Sequence, residues 1–428
     1  MATPTMLVEI GLDLSSVGGP FFTFGASDDV ASNPQSLFDN TDYRFGGTLL
    51  YDVTSKVQNV SINRGRSREL DRFTTGSANI TFTNQDRAFD PFYTSSPYYP
   101  DIKPRRVVQI STVIAGSTAV QFTGLVEDWS LDYQVSGESD ASAACADGFI
   151  LFGGQQLAAH TATAQFSGAR VSAILDRAEV AWPADARSIT TGAQLFQADV
   201  VEDGRDVLEY LQVVEASEPG FLFMSKDNKV TFKDRNTAAT IGTIIFSDAG
   251  GTAIPYTDIS VSYGTELLYN RASVGFIGAD SQTASNATSI NEYGVVALSI
   301  NGLLIRSGAA GTADAEALAN YTVNKYSEPE LRFDTMSVQL AALGTADQAR
   351  VVGIELHDII LVEYKPNNIG TRVSKNVQVL GIRHNIEPYN HKVTFNLGST
   401  DTAAFVLAAG TVVADYPFSI WDSSPFGL

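Results

Sequence analysis

Cysteine and histidine are scarce in this sequence. There is one cysteine, Cys145, and there are four histidines, which are His160, His357, His384 and His391. A single cysteine excludes an intramolecular disulfide framework and fits a protein that folds in a reducing cytosol. Neither a CxxC nor an HExxH motif is present, so a zinc site has little support. We therefore predict no metal and no cofactor.

Basic side chains are also few. The chain of 428 residues has 28 lysines and arginines against 48 aspartates and glutamates, which gives a formal net charge of -20. A protein that coats DNA carries the opposite balance, because basic side chains neutralise the phosphates. The acidic excess instead predicts high solubility, or a surface that must not hold DNA.

Long apolar runs and catalytic signatures are missing as well. No uncharged apolar run approaches the ~18 residues of a membrane span, and the N-terminus lacks the pattern of a signal peptide. There is no GxSxG, no P-loop and no GxGxxG followed by a helix. The acidic doublets Glu127-Asp128 and Glu202-Asp203 make no facing pair by themselves, because neighbours on a strand point to opposite faces. We therefore expect neither membrane insertion nor enzymatic activity.

The segments that are present read mostly as strands. They are short, rich in Val, Ile, Thr, Phe and Tyr, and broken by turn residues, as in "ANITFTN" and "KVTFNLG". Cys145 lies on one of them and reads as a small buried hydrophobe. With 428 residues and 44% hydrophobic composition, the chain exceeds one ordinary core. The sequence predicts a mainly β protein of two to four domains.

A smaller α+β part interrupts the strands. Apolar spacing predicts helices near 169–180 and 204–216, which pack Ile174, Leu175, Leu208 and Leu211 against a hairpin at 221–234. These elements define a middle domain over 161–236. A third helix is predicted over 312–326.

Two blocks of the chain run in the same order. Residues 106–147 and 358–400 each read strand, polar turn, strand with an internal glycine, polar turn, strand. Gly124 in "FTGLV" would correspond to Gly381 in "VLGIR", because glycine within a strand often marks a bulge or a barrel corner. Either any two β meanders look alike, or the chain holds two related small antiparallel β-barrels in tandem. The second reading gives a first barrel domain over 1–160 with a loop excursion at 15–42, a second over 237–400, and a C-terminal extension over 401–428.

A charged run, "SINRGRSRELDR", follows one of the early strands. In an extended chain Arg64, Arg66 and Arg68 would share a face, and the acids Glu69 and Asp71 follow directly. No aromatic platform is interleaved, which argues against single-strand nucleic-acid binding. A solvated hairpin and a salt-bridged contact within or between subunits both remain open, since arginine forks suit carboxylates at interfaces. Elsewhere, His384 and His391 flank a turn and could meet across a hairpin.

An ordered series of segments resembles one protein family. "NVSINRGRSRELDRFTTGSANITFTNQDRAFDPFY" is similar to the signature near the N-terminus of minor tail proteins of long-tailed bacteriophages. "FTGLVEDWSLDY" resembles that group's barrel-closing strand, and "GRDVLEYLQVVEASEPGFLFMSKDNKVTFKDR" resembles its middle helix and hairpin. "YTDISVSYGTELLYNRASV" and "EYGVVALSINGLLI" resemble its second half. Residues 15–42 and the end "DYPFSIWDSSPFGL" match nothing in the family.

The resemblance implies a baseplate-hub or tail-tip hub protein. In that family two β-barrels per chain assemble as a homotrimer, so that six barrels continue a sixfold tail tube. It implies a structural virion protein that folds in the host bacterial cytoplasm and surrounds the DNA exit path without specific DNA binding. The implied partners are the distal tail protein, the tape measure protein and tip or fibre proteins. The arginines, Glu69 and Asp71 would then belong to a structural joint, with Gly124 and Gly381 at matching barrel positions.

Three classes compete at this point. A hexameric distal tail protein would carry one barrel per chain, so the internal repeat separates it from a trimeric hub. A carbohydrate-binding tail-tip module would use exposed aromatics such as Trp421. A tail-associated hydrolase would need a catalytic constellation that the motifs do not provide.

Overall fold

The computed structural model of the protein describes residues 3–11, 50–235, 237 and 241–400. The predicted excursion at 15–42 and the extension at 401–428 lie outside these residues. The fold is mainly β, with 43% strand and 20% helix, which confirms the predicted class. The strands of the two ends of the chain combine into one sheet of 13 strands.

The first half of this sheet comes from residues 5–146. Its strands are β1 (Thr5–Gly11), β2 (Leu50–Asp52), β3 (Val57–Gly65), β4 (Ser77–Thr83), β5 (Val107–Ile114), β6 (Ser117–Tyr133) and β7 (Ser139–Ala146). They lie in the order β2-β1-β5-β6-β7-β4-β3, and all neighbours are antiparallel. Alternate side chains such as Val60, Ile62, Ile80 and Phe82 are buried in a core of this half, as the period of two predicts.

A separate α+β core follows over residues 149–233. Its elements are α1 (Phe149–Phe152), β8 (Gln156–Leu157), β9 (His160–Ala162), β10 (Gln165–Phe166), α2 (Ser167–Leu175), β11 (Arg187–Ile189), β12 (Leu195–Phe196), β13 (Asp199–Val201), β14 (Arg205–Asp206), α3 (Val207–Ser217), β15 (Phe221–Met224) and β16 (Val230–Lys233). β15 and β16 form the predicted hairpin. Buried side chains of α2 and α3 share a core with it.

The two helices differ from the prediction in detail. Helix α2 ends at Leu175 because the chain folds back there, and the Trp182 N–H donates to the Leu175 carbonyl at 3.0 Å. Helix α3 begins after Asp206, whose carboxylate accepts a hydrogen bond from the Glu209 N–H at 2.7 Å and caps the helix. Leu211 is fully buried, and Leu208 packs against the same core as predicted, as a partly buried side chain.

The second half of the sheet comes from the C-terminal part of the chain, with an inserted α/β unit. The elements are β17 (Ile241–Ser247), β18 (Asp258–Tyr263), β19 (Arg271–Phe276), β20 (Gln282–Ser285), α4 (Ala287–Tyr293), β21 (Ala297–Leu303), α5 (Gly308–Tyr326), β22 (Leu331–Gln339), α6 (Thr345–Gly353), β23 (Ile359–Tyr364), β24 (Val373–Glu387) and β25 (Asn390–Ser399). Helix α5 contains the predicted helix 312–326 and begins four residues earlier. It packs on the β20-β19-β21 sheet around a core of its own.

The two halves of the sheet have the same strand order. The first runs β3-β4-β7-β6-β5-β1, and the second runs β18-β22-β25-β24-β23-β17. In both halves, strands at equivalent positions in the sheet also follow one another in the same order along the chain. Each half has its own apolar core. One difference is that β1 pairs antiparallel with β5, whereas β17 pairs parallel with β23. The predicted repeat is therefore present as a repeated topology. No sheet of the described residues closes on itself, so closed barrels stay a prediction.

The predicted equivalence of the two glycines is wrong. The ladder from β5 to β6 ends at Val126, which exchanges hydrogen bonds with Arg106 and Arg105, and the ladder from β23 to β24 ends in the same way at Val379. A register shift follows each valine on the side of the next strand. Gly124 lies two residues before its valine and Gly381 two residues after. The repeated feature is the bulge.

Each glycine is instead required by close contact with a neighbouring backbone carbonyl. A Cβ at Gly124 would lie 2.3 Å from the Ala146 carbonyl oxygen, and a Cβ at Gly381 would lie 2.7 Å from the Arg66 carbonyl oxygen. Such distances leave no room for a side chain.

One ladder joins the two halves. β3 pairs antiparallel with β24 from Val60 opposite Ile386 to Gly65 opposite Gly381. This part of β24 no longer pairs with β23, so without β3 its edge would be unpaired. The ladder makes the sheet continuous.

We predict that truncating a core leucine of α3 weakens the α+β core. Leu211→Ala is expected to lower the free energy of unfolding by about 2–5 kcal/mol, because the side chain leaves a cavity. Leu208→Ala, on the same helix but half-buried, is the matched control and should cost less. Urea unfolding followed by tryptophan fluorescence measures both. Equal losses would contradict the assigned packing.

Candidate functional site

The charged run lies at the meeting point of the cores. We call residues 64–73, from the end of β3 onward, the junction segment. β3 ends at Gly65, which has a φ of 93°. The chain turns there, so the expectation that Arg64, Arg66 and Arg68 share a face is wrong. Arg64 is 4% exposed on the core side of the sheet, Arg66 is half-buried, and Arg68 is exposed.

Arg64 connects β3 with two other parts of the chain. Its Nη2 donates to the Met224 carbonyl oxygen at 3.0 Å and to Glu355 Oε1 at 2.7 Å. Met224 ends β15 of the α+β core, and Glu355 precedes β23. The other Glu355 oxygen accepts from the Lys226 N–H at 3.0 Å. One buried guanidinium therefore connects β3 with the α+β core and with the segment before β23.

Arg66, the next arginine of the junction segment, contacts two aromatic rings. Its guanidinium lies 4.7 Å from the ring centre of Phe73 and 5.0 Å from that of Phe221, within cation–π range. Its Nη1 donates to the Asp71 carbonyl oxygen at 3.0 Å. Burial lowers the pKa of Arg66, an effect that the carboxylate of Glu215 opposes. The side chain remains a cation stacked between the junction segment and the α+β core.

Glu69 binds the inserted unit and the end of the sheet. Its Oε1 accepts from the Ser399 N–H at 2.6 Å, and its Oε2 accepts from the Tyr326 hydroxyl at 3.1 Å. Lys325 Nζ lies 3.2 Å from the same oxygen. Burial acts to raise the pKa of Glu69, but Lys325 and the hydrogen bonds outweigh it and lower the pKa below its usual value. Glu69 is therefore a carboxylate that fixes the end of α5 against β25.

The remaining predicted residues contribute less. Arg68 pairs with Glu266 at 2.7 Å, and both side chains are more than half exposed. Solvent screens such pairs, so this one adds little stability. The Asp71 backbone N–H donates to the Arg68 carbonyl at 3.3 Å, which closes a turn.

Two buried acids border the junction segment. Burial raises the pKa of Asp147 to about 7 and that of Glu215 to about 7. Asp147 accepts from the Gly76 N–H at 2.7 Å and from the Phe149 N–H at 3.0 Å. Asp147 thus ties the start of β4 to the start of the α+β core. Neither acid was singled out from the sequence, because only the fold reveals its burial.

The histidine pair predicted across a hairpin is present. His384 Nδ1 lies 3.0 Å from His391 Nε2, and both rings are buried. Burial lowers the pKa of both, which favours neutral imidazoles. Within the described residues no group of three or more His, Cys, Asp or Glu could hold a metal ion. Cys145 is buried on β7 as predicted.

The joined sheet has one apolar and one polar face. Directly paired residues across seven strands, from β22 to β6, alternate between the two faces. One row is apolar apart from His384: Val338, Val393, His384, Ile62, Ala78, Cys145 and Val126. The next row lies on what we call the polar face: Gln339, Lys392, Asn385, Ser61, Asn79, Ala144 and Asp128. The face opposite the cores is thus lined mostly by small uncharged polar side chains.

We predict that the buried and the exposed arginines differ in their contribution to stability. Arg64→Met is expected to cost about 3 kcal/mol in the free energy of unfolding, since it leaves Glu355 without its buried partner. Arg68→Met is the control, with an expected change within about 1 kcal/mol. Urea titrations of the two variants provide the measurement. A loss at Arg68 as large as that at Arg64 would contradict the burial argument.

The fold is similar to that of solved tail proteins. The 43 kDa tail protein of prophage MuSo2 from Shewanella oneidensis superposes with a TM-score of 0.54 at 10% identity, covering 82% of this chain and 96% of that one. The tail protein from Neisseria meningitidis MC58 superposes with a TM-score of 0.56 at 9% identity, covering 92% and 96%. No protein-family model and no curated protein matches the sequence. Among the described helices, none is long and apolar enough to cross a membrane. At the level of the fold these matches confirm the resemblance indicated by the sequence: the chain has the fold of phage tail proteins.

Proposed function

We propose that the chain is a structural protein of the phage tail tip, a hub ring that joins the tail tube to distal tip or fibre proteins and surrounds the path of the DNA. The observation that carries this proposal is the repeated strand order of the two sheet halves. Three copies of a chain with two like halves present six like units around an axis, which matches a sixfold tube. The fold shared with tail proteins supports the same function.

Each half is proposed to act as one barrel-like unit of the ring. The two apolar cores on the first and second halves support this. On this view the first unit spans 1–160, the α+β domain 161–236, and the second unit 237–400. The C-terminal extension spans 401–428.

The residues picked from the sequence then have a structural role. Arg64, Arg66 and Glu69 hold the two units and the inserted domains in one fixed arrangement, and Arg68 and Asp71 complete the same junction segment. The contacts of Arg64 with Met224 and Glu355, and of Glu69 with Tyr326 and Ser399, support this. Gly124 and Gly381 are proposed to permit close strand packing within each unit.

The polar face is proposed to line the channel. Uncharged side chains such as Ser61 and Asn79 give phosphates no fixed cation to bind. Charged residues on this face include the acids Asp128, Asp132, Asp140, Asp258 and Glu387 and the bases Arg383 and Lys392. An excess of acids would keep DNA away from the wall over the ~8 Å that physiological salt allows. DNA would then pass without specific binding.

The proposed partners are other tail proteins: the distal tail protein and the tape measure protein on one side of the ring, and tip or fibre proteins on the other. No cofactor is part of the proposal. The competing class, a hexameric distal tail protein with one barrel per chain, is disfavoured by the repeated halves. A sugar-binding module or hydrolase has no site of its own in this proposal.

We predict a trimer in solution. Three copies of the 45.8 kDa chain give about 137 kDa, measurable by light scattering or native mass spectrometry. Class averages from electron microscopy should show a ring with six similar lobes. A hexamer of twice that mass would favour the distal tail protein instead, and a monomer at all concentrations would refute the ring.

We also predict that the ring does not retain duplex DNA. Three chains carry three times -20, or -60, in formal charge, so a mobility-shift assay at physiological salt should show no complex. The variant Ser77→Lys/Asn79→Lys adds cations at two exposed positions of the polar face, and it should bind DNA in a salt-dependent way. Tight binding by the unaltered ring would contradict the proposed channel lining.

A further inference from the structure

The two strand segments that pair in the β3–β24 ladder have structural equivalents elsewhere in the chain. These equivalent segments do not pair with each other. In the first half, the residue that follows the bulge is Asp128, and stepping strand by strand across β7 and β4 leads to Ser61. In the second half, the corresponding residue is Gly381, and the same steps across β25 and β22 lead to Ser260. Ser61 and Ser260 are therefore equivalent positions.

The sequences around these serines agree with the equivalence. Residues 60–65 read VSINRG and residues 259–264 read ISVSYG, so an aliphatic residue, a serine, a second aliphatic residue and a final glycine recur at the same places. Likewise, residues 128–133 of β6 correspond to residues 381–386 of β24. In the chain, 60–65 pairs with 381–386. The equivalent pair of segments is 259–264 and 128–133.

Both of these segments have a free edge. β18 pairs with β22 alone, and β6 beyond the bulge pairs with β7 alone, as far as the described residues go. Unpaired strand edges are templates for pairing with another chain. These two free edges are equivalent to the two edges that pair in the β3–β24 ladder.

The side chains at these edges are more exposed than their counterparts at the β3–β24 ladder. Tyr263, in the place of the 4% exposed Arg64, is 69% exposed. Tyr133, in the place of the buried Ile386, is 49% exposed. Ile259, Val261, Trp129 and Leu131 are each half-buried at the rims of the two cores, whereas all their counterparts are buried. The two edges together present an apolar strip.

The surroundings of Gly264 also indicate that a neighbouring strand is missing. At its counterpart Gly65, an added Cβ would lie 2.3 Å from the Leu380 carbonyl and 2.8 Å from the Gly381 Cα, both on the opposite strand. At Gly264 no heavy atom of the described residues lies within 4 Å of that point, and its φ is not in the left-handed region. A strand laid against the edge would approach it as β24 approaches Gly65.

We propose that β18 of one copy pairs antiparallel with the free part of β6 of a neighbouring copy, in the register of the β3–β24 ladder. Ser260 then lies opposite Asp132, Ser262 opposite Ser130, and Tyr263 opposite Trp129. Within these pairs no two like charges face each other, and the apolar strip becomes covered. The proposal rests on the trimeric ring proposed above and names the interface that closes it: three joints within chains alternate with three between chains.

The hydrogen-bond phase of the known ladder selects positions for a test. The Arg66 N–H donates to the Leu380 carbonyl, so Ser61 and Asn385 form a non-hydrogen-bonded pair, as do Asn63 and Arg383. The Cα atoms of such pairs lie ~4.5 Å apart, within the range that a disulfide spans. By equivalence, Ser130 and Ser262 occupy such a pair between copies. Serine to cysteine is a small change at both.

The experiment mixes two single variants of the full chain, Ser130→Cys and Ser262→Cys, and oxidises them. The mixture is expected to give a disulfide-linked dimer on a non-reducing gel, while each variant alone gives no more than the unaltered chain. The double variant Ser130→Cys/Ser262→Cys should give covalent trimers. The control pair Ser130→Cys with Ser260→Cys is out of register by two residues, ~7–8 Å on the diagonal, and should cross-link much less.

The outcomes separate the two proposals. A particle of trimeric mass in which the Ser130/Ser262 pair does not cross-link, or in which the out-of-register pair links equally well, overturns the strand pairing and leaves the ring intact. A chain that stays monomeric overturns both. Circular dichroism of each single variant, expected to match that of the unaltered chain, ensures that a missing cross-link is not a folding failure.

Discussion

The antiparallel ladder between β3 and β24 is the contact on which the rest of the structure depends. It connects Val60 with Ile386, so it closes the chain from residue 60 to residue 386 into one loop. Such closure costs entropy that grows only slowly with loop length, and the six paired positions and the shared apolar face offset it. The α+β core and the α5 unit lie in the connection between these strands. The contacts of Arg64 with Met224 and of Glu69 with Tyr326 and Ser399 fix the positions of these units beside the ladder.

Charged side chains at this ladder specify geometry more than they add stability. A buried ion pair loses much of its Coulomb energy to desolvation, so Arg64 and Glu355 contribute little compared with an apolar pair of the same shape. Their directional hydrogen bonds are what an apolar pair lacks. Arg64 reaches Met224 and Glu355 together only in one relative position of β3, β15 and the loop before β23. Glu69 imposes the same condition on α5 and β25.

Local patterns in the sequence were good guides to the elements and poor guides to their partners. Alternating apolar residues located β3 and β4, and apolar spacing located α3, because these signals arise within a few residues of the chain. The repeated strand order was also recoverable. Its apparent marker was misleading: the glycines at 124 and 381 stand four positions apart in the repeat, since each relieves a different close contact. The bulge after Val126 and Val379 carries no residue signature.

The sequence indicated that the arginine segment forms a structural contact. It did not indicate which residues that segment contacts. Arg64 bonds Glu355 across 291 positions of the chain, and Ser399 bonds Glu69 across 330. No spacing rule reaches that far. Likewise, Leu208 and Leu211 look alike in the helical pattern, and only the packing of the hairpin decides which of them is buried. The serine and glycine shared by "SINRG" and "SVSYG" became meaningful once the ladders aligned them.

In the proposed ring, one of the two kinds of joint lies inside the chain, and this changes the thermodynamics of assembly. Each encounter between free molecules costs translational and rotational entropy, on the order of 4–15 kcal/mol. Six separate like units need five such encounters before the circle can close, whereas three covalently linked pairs need two. A tether also holds its two units at an effective concentration that dilution cannot lower. The β3–β24 ladder therefore forms at any protein concentration, and in the proposed ring half of the joints would be set by folding before any two copies meet.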